Sequence, residues 1–142
     1  MQYIYPAYVE ADPDGGFIVT FPDVPEAITG GKTRPEALEM AEDALAVALL
    51  ARVENNEPLP RSSQGDRTHT PVAVPAAIAA KLALIGLWRA SGISKSELAR
   101  RLGVDEKAVR RMLDPDHNTS LSRLEKAIHA LGGRLVISTV AA

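Results

Sequence analysis

The segment from Ser94 to Leu113 constrains the fold more than any other stretch of the chain. Ser94 and Glu97 stand at capping-box spacing, which starts a helix sharply after Ile93. Leu98, Ala99 and Leu102 mark the buried face of that helix. Gly103 supplies the positive φ that a tight turn needs, Val104 plugs the turn, and Asp105 caps a second helix whose Ala108, Val109 and Met112 or Leu113 face inward. Small Ala99 lets the two helices approach closely, and the second turns Glu106, Lys107, Arg110 and Arg111 outward. The expectation is a helix-turn-helix. A generic helical hairpin explains neither the Ala-x-x-x-Gly-Val spacing nor the basic outer face.

Geometry assigns candidate roles within that unit. Side chains near the start of a recognition helix reach base edges, so Glu106, Lys107 and Arg110 are the reading candidates, with an arginine on guanine as the leading contact. Arg111 serves equally well as a phosphate grip. Ser94, Lys95 and Ser96 at one helix start, and Asn118, Thr119 and Ser120 at another, offer hydroxyls, an amide and backbone N–H groups to phosphate oxygens. Helix capping is an equal reading for Ser94 and Ser120, and the spacing leaves Ser120 and Ser122 both open as the cap.

Charge is divided in the same way. Residues 1–60 carry 11 acids and 3 bases, whereas residues 61–142 carry 7 acids and 13 bases, so the formal charges are −8 and +6. An acidic half suits a basic partner, and a basic half suits an anionic one such as nucleic acid. With 46% hydrophobic and 24% charged residues the chain has the means to bury a core. It has no cysteine, which removes disulfides, thiolate metal sites and thiol nucleophiles. Neither a basic-then-apolar leader nor an apolar run of membrane-spanning length is visible, and a cytoplasmic location with no membrane partner is expected.

The first half reads as strands, then a helix. Gln2 to Val9 and Phe17 to Phe21 flank the turn residues Asp12-Pro13-Asp14-Gly15-Gly16, which signals a hairpin. Ala27-Ile28-Thr29 suits a short third strand that Gly30-Gly31 break. Thr33 and Glu36 then form a capping box with Pro35 in the first turn, opening a helix that carries Leu38, Ala41, Leu45, Ala48 and Leu49 to about Asn55. Arg61 to Thr70 reads as a connection, and Val72-Ala73-Val74 as a last strand, giving βββαβ. A helix from Ala76 to about Arg89 follows, and Leu121 to Leu131 forms the final one. Leu135 to Val140 has strand character, with two options: it pairs with a second copy of the chain, or folds back on Trp88.

Enzyme chemistry finds little support. Glu10, Asp12, Asp14 and Asp23 cluster in sequence, yet Asp12-Pro13-Asp14-Gly15 is ordinary turn chemistry, so no metal is expected. His69, His117 and His129 lack metal-ligand spacing, and no Ser or Lys stands in a nucleophile motif, so neither catalytic residues nor cofactors are expected.

Four short motifs in order resemble those of the HicB antitoxin family: Tyr5-Pro6-Ala7-Tyr8, Asp14-Gly15-Gly16-Phe17, Phe21-Pro22-Asp23-Val24-Pro25 with Thr29-Gly30, and Pro35-Glu36-Ala37-Leu38. The second half, with Ala80-Lys81-Leu82, Ser94 to Leu102 and Asp114-Pro115-Asp116-His117, is similar to HicB members that carry a helix-turn-helix. The resemblance implies a partial ribonuclease-H-like fold without the full catalytic carboxylate set. It also implies a partner, a small basic HicA-type toxin that cleaves mRNA. One departure is visible: Glu26-Ala27 stands where the pattern has Gly-Cys.

The expected architecture is therefore α+β: a βββαβ partial ribonuclease-H-like domain over residues 1–74 that binds toxin, then an all-α helix-turn-helix domain over residues 75–142 with a C-terminal strand. The expected function is an antitoxin that blocks its toxin and represses its own operon at an inverted repeat, as a dimer or tetramer. Two rival readings are a helix-turn-helix regulator with an acidic small-ligand-sensing domain and a metal-dependent nuclease. The second requires at least two of Glu10, Asp12, Asp14 and Asp23 to converge on one ion.

Overall fold

Turn chemistry sets the first two strands. Asp12 accepts the Asp14 N–H on its side chain at 3.0 Å and donates its own N–H to the Gly16 carbonyl at 2.9 Å, joining β1 (Ile4–Ala11) to β2 (Phe17–Thr20). With β3 (Ile28–Gly31) and β4 (Thr70–Ala73) they make an antiparallel sheet in the order β3-β2-β1-β4. This computed structural model describes residues 1–140; Ala141 and Ala142, the end of the segment read as the second domain, lie outside the described residues. The chain divides into two compact units, Met1–Pro75 and one beginning at Ala76.

β1 serves two neighbours in turn: its Ile4–Ala7 half pairs with β4 and its Tyr8–Ala11 half with β2. Pro6 sits opposite Pro71. Two facing prolines fit only a non-hydrogen-bonded pair, where neither missing N–H belongs to the ladder. The third strand corrects the expectation that Gly30 and Gly31 break it, since both lie inside β3. A Cβ on Gly30 would stand 2.6 Å from the Phe17 carbonyl oxygen, and one on Gly31 would stand 2.6 Å from the Ala37 nitrogen. The glycines are there for close backbone approach, which sequence alone does not reveal.

α1 (Arg34–Glu54) lies on one face of this sheet. Thr33 caps it, accepting the Glu36 N–H at 3.2 Å, while the Glu36 carboxylate accepts the Lys32 N–H one residue before the expected box position. Ala37, Ala41, Leu45, Leu49 and Val53 of the helix and Tyr5, Ala7, Val19, Phe21 and Val72 of the sheet side are all buried. Because β4 runs antiparallel to β1, residues 55–69 must return along the sheet before it starts. They are latched on the way: Tyr5 donates its hydroxyl to the Pro60 carbonyl at 2.7 Å, Ser62 donates to the Ile4 carbonyl, and Ser63 donates through N–H and hydroxyl to Asp23 at 2.8 and 2.9 Å.

The second unit is helical: α2 (Ala76–Ser91), α3 (Lys95–Leu102), α4 (Glu106–Met112) and α5 (Leu121–Ala130). Gly92, Gly103 and Gly132 take positive φ at the ends of α2, α3 and α5. Leu82, Leu84, Ile85, Leu98, Val109, Met112, Leu124 and Ile128 form its core. The molecule is thus α+β, with a correction at the end. Leu135 to Val140 forms no strand, because the described residues of the unit offer no strand to complete a ladder; Val136, Ile137 and Val140 stand 79%, 55% and 70% exposed. Val104, expected to plug the α3–α4 turn, is 38% exposed.

Candidate nucleic-acid interface and acidic face

Side-chain caps fix three successive helix starts. Ser94 accepts the Glu97 N–H at 3.0 Å, Asp105 accepts the Ala108 N–H at 2.8 Å, and Ser120 accepts the Arg123 N–H at 3.3 Å, so Ser120 rather than Ser122 caps α5. The Ser94 box is only half formed. The Glu97 carboxylate binds the Arg100 guanidinium at 2.9 and 2.6 Å and Arg101 at 3.1 Å instead of a backbone N–H, because charge-assisted bonds are the stronger ones. Arg100, then Arg101, hold its carboxyl down to about 2.

The candidate contact residues fall into a definite arrangement. Glu106, Lys107, Arg110 and Arg111 are all exposed on α4. Ser96 donates to Glu106 at 2.9 Å, tying the start of α3 to the start of α4, and Arg110 stands 3.8 Å from Glu106. Lys95 places its ammonium 5.8 Å from the centre of the Trp88 ring. At the other end of α4, Thr119 accepts from Lys81, with exposed Asn118 and Ser120 on either side. The hydroxyl and amide groups therefore bracket a helix about 10 Å long at both ends.

Lys81 was not among the expected site residues. It is 4% exposed and donates to the Arg111 carbonyl at 3.1 Å, the Met112 carbonyl at 2.8 Å and the Thr119 hydroxyl at 2.7 Å. Burial pushes its ammonium down to about 8, opposed by the Asp114 carboxylate. A signal existed in the sequence: Lys81 falls on the apolar stripe of Ile78, Leu82 and Ile85, where a lone cation must find buried acceptors.

On the first unit the acids are spread over the surface. Glu36, Glu39, Glu42 and Asp43 are exposed along α1 with Met40 and Val47 among them. Arg52 is taken by Glu26, with its Nη2 3.0 Å from Oε2, and this guanidinium lowers the Glu26 carboxyl from its ordinary value. The carboxylates a nuclease would need do other work: Asp12 closes the hairpin turn and Asp23 holds Ser63. Among the described residues no three His, Asp or Glu side chains form a group able to hold a metal, and no single helix is long and apolar enough to cross a membrane.

Comparison with known proteins gives a consistent result. A family model described as HicB_like antitoxin of bacterial toxin-antitoxin system matches residues 4–83. The chain is 39% identical over 134 residues to a protein named Antitoxin HicB 1 from Photorhabdus laumondii, covering 94% of this chain and 85% of that one. It is 36% identical over 136 residues to Antitoxin HicB of Escherichia coli K12, covering 96% and 99%. With Antitoxin HicB of Pseudomonas fluorescens it shares 36% over 146 residues, covering 100% and 97%.

Proposed function

The chain belongs to the HicB-like antitoxin family, and from that premise we propose that residues 1–74 bind and neutralise a HicA-type, mRNA-cleaving toxin while residues 75–142 repress the operon by binding operator DNA. An antitoxin acts by binding, so the role is regulatory rather than enzymatic. The observation that carries the DNA-binding reading is the bond between Ser96 and Glu106, which ties the starts of two capped helices together, the second of which carries exposed Lys107, Arg110 and Arg111. This supports a helix-turn-helix with α4 as recognition helix. The strand order, with α1 on one face, supports the partial ribonuclease-H-like reading of the first unit. Its exposed acids suit a toxin that must itself be basic to bind RNA. On this reading the protein acts in the cytoplasm, with its toxin and its operator.

Useful operator affinity requires two copies, with recognition helices about 34 Å apart over an inverted repeat. The exposed apolar run Leu135 to Val140 is the segment that pairs with its counterpart in a second copy. Two experiments test the reading. Co-expression with the product of an adjacent short basic reading frame is expected to give a stable complex, and residues 1–74 alone are expected to rescue growth. Rescue by the full chain but never by the fragment overturns the division of labour. Sedimentation of a chain lacking residues 134–142 is expected to show monomer with weakened operator binding; a truncated chain that stays dimeric removes the tail from the interface.

A further inference from the structure

Lys81 is the one charged residue in the buried class among the described residues. A buried ammonium is costly, and apolar replacement of buried charges is often neutral for stability, so stability alone does not account for a lysine here. Its three N–H donors meet three acceptors, two of them the last carbonyls of α4, which no i→i+4 helix bond satisfies; the Arg111 carbonyl also accepts the Asp114 N–H at 3.3 Å. A cation at this end also meets the negative pole of the helix.

α4 needs such help. It has seven residues, too few to hold itself, and it sends only Val109 and Met112 into the buried class. Asp105 and the Ser96–Glu106 bond fix its first turn. The apolar pair, with buried Leu113 at the C-cap, holds its inner face. Lys81 supplies the remaining fixed point, and it does so through the backbone of Arg111, whose side chain belongs to the exposed basic face. Through Thr119 the same ammonium sets the position of the α4–α5 connection with Asn118 and Ser120.

We propose that Lys81 is the positioning residue of the operator interface: from inside the unit it locks the end of α4 to the α4–α5 connection and so sets how the basic face of α4 meets base edges. The inference rests on the DNA-binding reading and adds to it a residue that never touches DNA. A lysine that grips phosphate and one that positions a helix differ in salt dependence. Removing the first lowers the slope of log affinity against log salt by about 0.9, whereas removing the second leaves the slope intact.

The test compares full-length wild type, Lys81→Met and, as the variant that loses a candidate phosphate grip, Arg111→Met on the duplex immediately upstream of the reading frame and on an unrelated duplex, across a salt series. Circular dichroism checks that each variant is folded. Lys81→Met is expected to lose about tenfold in affinity for the upstream duplex, the size of one wrong base pair, while non-specific affinity and salt slope stay at wild-type values. Equal loss on both duplexes reduces Lys81 to a structural role and overturns the proposal, as does no loss at all. If Lys81→Met does not fold, Thr119→Val removes one of the three acceptors; because Thr119 is also a candidate phosphate contact, some loss on both duplexes is expected, with the larger loss on the upstream one, and undiminished preference for the upstream duplex overturns the proposal. A wild-type chain with no preference for the upstream duplex fails at an earlier step and removes the DNA-binding reading together with this inference.

Discussion

The first unit lays a 21-residue helix across a four-stranded sheet, whereas the helices that follow α2 have eight, seven and ten residues. The long helix is held by area: a continuous row from Ala37 to Val53 is sealed against the sheet. The short ones bury little each and are held at their ends, by Ser94, Asp105 and Ser120 at the starts and by Lys81 at the end of α4. Both units have an apolar core, but the long helix is placed by contact along its length, whereas the short ones take their placement from polar groups at their ends. A surface used for protein docking tolerates small shifts of its helix, while base reading depends on where a few side chains point.

The largest expected effect tests whether the units are separable. Leu45 is fully buried, and Leu45→Ala is expected to cost the first unit about 2 to 5 kcal/mol through lost transfer energy and the cavity left behind. Thermal unfolding should show an early transition and toxin inhibition should fail, with operator binding retained below that transition. Loss of operator binding in the folded range breaks the comparison. Next in size is Arg110→Ala, expected to cost about 1 to 3 kcal/mol at one base position. Its 3.8 Å pairing with exposed Glu106 contributes little, so the protein should remain equally stable. Equal weakening on specific and unrelated duplexes reassigns Arg110 to phosphate.

Removing equivalent caps from the two units sharpens the contrast. Thr33→Ala and Asp105→Ala each delete one side-chain acceptor at a helix start and are expected to cost about 1 kcal/mol of stability. The functional consequences should differ. α1 is fixed along its length, so Thr33→Ala leaves toxin inhibition near wild type, while Asp105→Ala frees the first turn of α4 and weakens operator binding. Denaturation midpoints alongside both binding assays measure this, and loss of inhibition in Thr33→Ala contradicts the idea that area holds the first unit.

What the sequence revealed was local. Helix starts at Thr33, Ser94 and Asp105 and the turn at Gly103 follow from neighbours within four residues, and the structure bears them out. The order βββαβ was legible because turn residues separate the strands. Features that depend on distant partners were not: β3 runs through Gly30 and Gly31 because α1 and β2 come close, and residues 60–63 are tied to β1 and Asp23 across 40 positions or more. Leu135 to Val140 joins no ladder in the single chain for the same reason, since strand character cannot supply a partner. In the candidate interface the exposed residues of α4 could be named, but the buried lysine behind them could not be assigned acceptors 30 residues away.

The smallest effect concerns the charge assigned to the second half. Counting residues treats Arg100 and Arg101 as available to DNA, yet both guanidiniums are engaged by Glu97 in the free protein. The Glu97 carboxyl is held down to about 2, against an ordinary value of 4.5, by Arg100 first and Arg101 second. A depressed folded value means a contribution to stability that is present above the ordinary carboxyl range and lost as pH falls from about 4.5 towards 2. The group is exposed, so the contribution is small and salt weakens it further. Wild type and Glu97→Gln should therefore differ slightly in melting temperature at pH 7 and low salt, and the difference should vanish near pH 2. At neutral pH, Glu97→Gln also releases two arginines, so non-specific DNA affinity should rise and its salt slope steepen. Carboxyl titration by NMR decides the first point: a Glu97 midpoint at the ordinary value would mean that the guanidiniums do not hold it. An unchanged salt slope in Glu97→Gln would mean that α3 faces away from the phosphates, leaving α4 and its flanking hydroxyls as the whole of the contact surface.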